Sequence, residues 1–223
     1  MPVLFEVKDL VIPGIPERLN LQLDQGMTVF LITSGDRESE LVFRTLLGEQ
    51  IPESGTVMFE EQCLHCIDRH ERLKIRQVVA TVTATTNLIS NLKVWENITL
   101  PLMYHNGSLA PESTDQALQL LEEAGLLENI WSLPGHLSAA DRIMVSFIRA
   151  VISAPRFLVV AASLENLPSL QQHIFLRIAA NVQSNINAPA TLFITTEMIQ
   201  LPGLQPDMII DLRQSPALIM RKS

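Results

Sequence analysis

Cysteine is nearly absent: the 223-residue chain has two, Cys63 and Cys66. No second pair completes a zinc site around Cys63, Cys66 and His70, and the CxxC does not open a thioredoxin-like helix. The segment is expected to be a loop between a strand and a helix, with no metal. Basic residues are also scarce: 16 Lys and Arg stand against 24 Asp and Glu, a net charge of -8 with pI near 5.1. A nucleic-acid partner, which needs a cationic surface to replace phosphate counterions, is therefore excluded. No apolar run approaches the ~20 residues needed to cross a bilayer. The opening MPVLFEVKDL mixes charges where a signal peptide needs a basic start and an apolar core. The expected location is the cytoplasm, and the sequons at Asn97 and Asn106 are read as chance. Repeats and low-complexity linkers are missing too.

What is present is an ordinary globular composition, 47% hydrophobic and 18% charged. Period-two alternation predicts strands over Phe5 to Leu10 and Leu19 to Leu23, broken at Pro13 to Pro16. Met27 to Ile32 is apolar throughout, as in a strand buried on both faces. Thr33-Ser34-Gly35 opens a loop, and Glu40 to Leu47 reads as a helix stopped by Gly48. A hairpin around Pro52 to Gly55 returns along Thr56 to Phe59. Arg69 to Arg76 reads as a short helix and Val78 to Val82 as a buried strand. Val94 to Arg149 reads as helical, with one helix over Thr114 to Ala124 and another over Ser138 to Ala150, where Ser138 and Asp141 approximate a capping box. Phe157 to Ala161 and Leu192 to Thr195 are further strands, separated by a helix over Leu170 to Val182. This alternation predicts an α/β fold with a largely parallel sheet covered on both faces. One domain is expected: a core lobe of 1–87 and 151–223, interrupted by a helical subdomain at about 88–150.

Five landmarks then fall in one order. Ser54-Gly55-Thr56-Val57 follows Leu47-Gly48 and Pro52. Leu92-Lys93-Val94-Trp95-Glu96-Asn97-Ile98 runs into Leu100-Pro101-Leu102. Gly125-Leu126 closes a helix. Leu137-Ser138 precedes Arg142 and Arg149-Ala150, and Pro155-Arg156 leads into Phe157-Leu158-Val159-Val160. In this order and spacing, over roughly residues 5 to 212, the chain resembles the ATP-binding-cassette (ABC) ATPases. The resemblance implies the ABC ATPase fold: a P-loop NTPase, RecA-like core sheet with an antiparallel β subdomain and an inserted helical subdomain. It also implies ATP and Mg²⁺ as ligands.

The positions that carry this chemistry in the family are occupied differently here. A P-loop cradles phosphates with backbone N–H groups, relies on glycines for close approach, and sets a lysine against the β/γ-phosphates. Aligned on Ser34-Gly35, the first glycine becomes Ile32 and the glycine before the lysine becomes Arg37. The lysine becomes Glu38, the magnesium-binding hydroxyl is kept as Ser39, and the next threonine becomes Glu40. A carboxylate at the lysine position repels a triphosphate. The metal-binding aspartate and catalytic glutamate correspond to Ala161 and Ala162, the inter-lobe glutamine to Ala84 in the Thr83 to Thr86 run, and the switch histidine to Thr196. The signature reads Leu137-Ser138-Ala139-Ala140-Asp141, and the D-loop aspartate is Pro168.

The resulting expectation is a non-enzyme: a pseudo-ATPase with no catalytic residues, no cofactor and no metal. The resemblance supplies its partners, an ABC permease subunit or an active ABC ATPase, with a homodimer possible, and places the chain on the cytoplasmic face of a membrane. Leu100-Pro101-Leu102-Met103-Tyr104-His105 and Leu109-Ala110-Pro111-Glu112 resemble the Mla/MCE-type lipid-transport cassettes. The alternatives are a soluble regulatory dimer outside transport, and a weak ATPase in which Glu165 or Glu197 substitutes for the missing acids.

Overall fold

A computed structural model describes residues 3–85, 88–106, 110–197, 204–214 and 217–221. Thr86, Leu109 and the side chains of His105 and Asn106 lie outside the described set. The first sheet is built from β1 (Phe5–Val11), β2 (Arg18–Leu23), β4 (Ser54–Phe59) and β5 (Gln62–Cys63), antiparallel in the order β2-β1-β4-β5. The second takes β3 (Thr28–Ile32), β6 (Val79–Thr83), β7 (Phe157–Ala161), β8 (Ala190–Thr195), β9 (Met208–Asp211) and β10 (Leu218–Arg221), in the order β10-β9-β3-β8-β7-β6. All its pairings are parallel except β10 against β9.

Period two divides the interior into two cores, because successive strand side chains point to opposite faces. Phe30, Leu158, Val160 and Phe193 enter a core shared with the helices. Val29, Leu31, Phe157, Val159, Leu192 and Ile194 enter the other, beneath the antiparallel sheet. The apolar run expected for β3 is thus explained by burial on both faces. Phe157 joins the sheets by stacking on Phe5 at 4.6 Å between ring centres. On the opposite face Phe30 stacks on Phe193, also at 4.6 Å.

The helices are α1 (Asp36–Leu46), α2 (Arg69–Arg76), α3 (Val94–Asn106), α4 (Pro111–Glu123), α5 (Ala139–Ile152) and α6 (Ser169–Gln183). Helix α5 is buried along almost its whole length, and its Phe147 meets Phe175 of α6 at 4.4 Å between ring centres. Asn97, fully buried at the start of α3, closes the preceding turn. Its Oδ1 accepts from Ile89 N (2.7 Å), and its Nδ2 donates to the carbonyls of Ile89 (3.0 Å) and Leu92 (2.9 Å). That role explains the Glu-Asn-Ile landmark: a buried amide must be satisfied on both its groups. Gly55 at φ 86 explains another, since a Cβ there would collide with the backbone of Lys8 and Asp9 where β1 shifts register.

Several sequence expectations change. Helix α1 starts at Asp36, four residues before Glu40, because the polar stretch 36–40 carries no apolar periodicity to reveal it. Helix α4 starts at Pro111, a residue suited to a first turn. The continuous helical run from Val94 breaks into three α-helices, with 3₁₀ turns at Leu127–Asn129 and Pro134–His136. Strands β5, β9 and β10 were not anticipated. Cys63 and Cys66 are joined as a disulfide, so they are not paired thiolate ligands.

Candidate nucleotide site

Strand β3 ends at Ile32 and the chain turns through Thr33-Ser34-Gly35 into α1. Thr33 fixes the turn: its N–H donates to Thr195 O (2.9 Å), its hydroxyl to the same carbonyl (3.3 Å), and its Oγ1 lies 2.6 Å from Ser39 Oγ. The first turn of α1 has no side-chain cap from Gly35. Glu38 supplies an anion instead, folding back so that Oε2 accepts from Ser34 N at 3.1 Å. The carboxylate thus sits on a backbone N–H of the strand-to-helix turn, the kind of donor that a helix start offers to an anion.

A cleft of about 480 Å³ opens alongside. Asp36, Ser39 and Glu40 of α1 line it, facing Ala84 and Thr85 beyond β6 and Ala161 and Ser163 at the end of β7. Ser163 Oγ donates to Asp36 Oδ1 at 3.1 Å, tying the two walls. Among the described lining residues Arg44 is the single cation, beside the carboxylates of Asp36, Glu40 and Glu49. Arg44 is spent in part on Glu40, 3.9 Å away. Arg37 is exposed on the helix start and does not line the cleft.

The structure gathers only some of the sequence-derived positions. Ala161, Ala84, Ser39 and Glu40 share the cleft. Ala162 is 1% exposed and belongs to the helical-side core. Thr196 lies at the end of β8 against Glu165, whose Oε1 accepts from Thr196 N (3.2 Å) and from its hydroxyl. The other Glu165 oxygen is buried without a partner. Sequence reasoning named Glu165 as a substitute acid but had no signal for its contact with Thr196, 31 residues away. It also missed the Arg213 guanidinium, which grips Asp211 at 2.9 and 2.8 Å and donates to Thr196 O at 3.3 Å.

Ser138, Ala139, Ala140 and Asp141 lie apart from this cleft, at the start of α5. Asp141 N donates to Ser138 Oγ (3.1 Å), and Ser138 Oγ donates to Asp141 Oδ2 (2.7 Å). Ala139 is exposed and Ala140 is 8% exposed.

The family model described as "ABC transporter" matches residues 17–160. Among curated relatives, Methionine import ATP-binding protein MetN 1 of Acinetobacter baylyi is 27% identical over 181 residues, 81% of this chain and 50% of that protein. The chain therefore spans about half the length of that relative. Lipoprotein-releasing system ATP-binding protein LolD of Buchnera aphidicola is 23% identical over 171 residues, 76% of this chain and 74% of its own. Of the solved structures, the dimeric post-hydrolysis cassette MJ0796, bound to ADP and Pi, superposes with TM-score 0.75 at 21% identity, covering 93% of each chain. The cbiO1 cassette of Clostridium perfringens, part of the transporter complex cbiONQ, superposes with TM-score 0.74 at 16% identity, covering 95% of this chain and 85% of its own. The fold is that of the ABC ATPases.

These findings correct one expectation. The chain cannot be set down as a non-enzyme or pseudo-ATPase: its relatives are named ATP-binding proteins, and a cassette of the same fold is captured after hydrolysis with ADP and Pi. The expectation had rested on the altered positions taken together, from Glu38 to Ala161, Ala162 and Thr196.

Proposed function

The chain belongs to the ABC transporter family, and from that premise we propose that it is the cassette subunit of a membrane transport complex, acting at the cytoplasmic face beneath a permease. The observation that carries the docking reading is an apolar face on the helical subdomain. Leu100, Met103 and Tyr104, spaced i, i+3 and i+4 on one side of α3, are exposed, and Trp131 and Leu133 are exposed near its first turn. The 130–132 backbone is bonded to the first turn of α3 through Trp95 N to Ile130 O and Val94 N to Ser132 O, both 2.9 Å. Large apolar side chains grouped on a surface mark a partner contact. No helix among the described residues is long and apolar enough to cross a membrane, so a membrane role runs through such a partner. The Leu-Pro-Leu-Met-Tyr stretch of α3, whose Leu100, Met103 and Tyr104 lie on this face, is also what supports a lipid, Mla/MCE-type cargo.

Affinity-tagged chain extracted from native membranes is expected to bring down a polytopic membrane protein, and Met103→Glu to release it. A chain that purifies alone from membranes, in both forms, overturns the docking reading.

ATP binding is proposed for the cleft beside α1, in competition with Glu38 for the turn's N–H donors, so that the native loop holds Mg²⁺-ATP weakly. Glu165 is the acid assigned to hydrolysis, because its carboxylate is held at Thr196 while Ala161 and Ala162 offer none. Any Mg²⁺-dependent phosphate release is expected to fall by about a hundredfold in Glu165→Gln, within the range for a lost general base. Unchanged release in that variant removes Glu165 from the role.

A further inference from the structure

A second cavity, of about 360 Å³, lies between α1, α2, β6 and the antiparallel sheet. Its accessible apolar wall is formed by half-buried Phe43 and Leu47 of α1 and Val79 of β6, with Ile75 of α2 closing one side and the packed rings of Phe5, Phe59 and Phe157 behind. Its rim is cationic, carrying Arg72 and Arg76 of α2. Arg76 is neutralised by Glu49, 3.1 Å away. Arg72 is not: among the described residues it forms no ion pair, its Nη2 reaches only Leu64 O at 3.4 Å, and its Nε is buried without an acceptor. His65 nearby does not help, since burial and then the Arg72 charge both hold its pKa below the ordinary value. A guanidinium without a counter-ion is best satisfied by a planar anion.

We propose that this cavity binds a small amphiphilic monoanion, with an apolar chain against Phe43, Leu47 and Val79 and a carboxylate head on Arg72. The volume suits a medium-chain ligand, within the range of small-molecule sites. Charge count commits the ligand to one negative charge, because Glu49 already takes the second arginine. Phe43, Glu49 and Thr83 line both this cavity and the cleft beside α1, so the two share a wall.

The test is calorimetric titration of the full chain with sodium octanoate, with octanol and acetate as probes lacking the head or the chain. Octanoate is expected to saturate one site. Octanol is expected to bind at least about tenfold more weakly, as for loss of a charge-assisted bond, and acetate not at all. Arg72→Gln is expected to lose about tenfold in octanoate affinity. Thr81→Phe, which fills the cavity from β6, is expected to abolish binding while the circular dichroism spectrum and thermal midpoint stay near wild type. Absence of saturable octanoate binding overturns the proposal. So does octanol binding as tightly as octanoate, or octanoate affinity untouched by both substitutions in folded protein.

Discussion

Helices α1 and α5 begin in similar ways and end up doing different things with the same chemistry. Each presents free N–H groups at its first turn, and each recruits a carboxylate three positions into the helix or capping segment. At α5 the arrangement is self-contained: Ser138 and Asp141 satisfy one another, and the acid stays local to the helix start. At α1 no cap residue intervenes, and Glu38 reaches past Gly35 to Ser34, onto the turn beside the cleft. The first carboxylate stabilises a helix; the second also occupies ground that an anionic ligand needs.

The largest expected effect breaks this difference. Glu38→Lys removes the anion from Ser34 N and puts a cation beside the cleft. ATP affinity by equilibrium dialysis with Mg²⁺ is expected to rise by about 2 kcal/mol, roughly thirtyfold in Kd. An affinity unchanged in Glu38→Lys means that the Glu38 contact does not compete with nucleotide. At α5 the corresponding change is one of stability alone. Ser138→Ala is expected to cost about 1 kcal/mol in urea denaturation, as for a lost N-cap, with ATP affinity as in wild type. If Ser138→Ala instead shifts ATP affinity in the isolated chain, the two helix starts are not independent.

How much of this was legible follows the same division. The cap at Ser138 was readable because its two residues are three apart in sequence and precede an apolar helical run. The core strands were readable because burial on both faces favours an apolar string, as in residues 29–32 of β3. Helix α1 was misplaced by four residues because Asp36, Arg37, Glu38 and Ser39 face solvent or the cleft and leave no periodic trace. Strand β10 was missed for a related reason: it is exposed along its length at the sheet edge, so nothing in its pattern demands a buried face, whereas β9 is buried but only four residues long. The contacts of Glu165 with Thr196 and of Arg213 with Thr196 join β7, β8 and β9 ends across 31 and 17 residues. Only the sheet order brings them together, so sequence spacing carries no signal of either contact.

Asp211 gives the third and smallest test, a carboxylate that receives a cation where Glu38 receives none. Arg213 donates to it from Nε and Nη2 and from its backbone N–H at 3.0 Å. The guanidinium hydrogen bond, more than any other contact, holds the Asp211 carboxyl below its ordinary 3.8. Because the folded value is the lower one, the ionised form is favoured by folding. The resulting stability is fully present above the ordinary value and is lost as pH falls through the folded value. Wild type is therefore expected to exceed Asp211→Asn in urea midpoint at neutral pH and down to about pH 5, with the gap closing at more acid pH. A gap that persists unchanged into acid assigns the effect of Asp211 to packing at the end of β9. A gap that closes ties the charge of Asp211 to the strand end where Arg213 also holds Thr196.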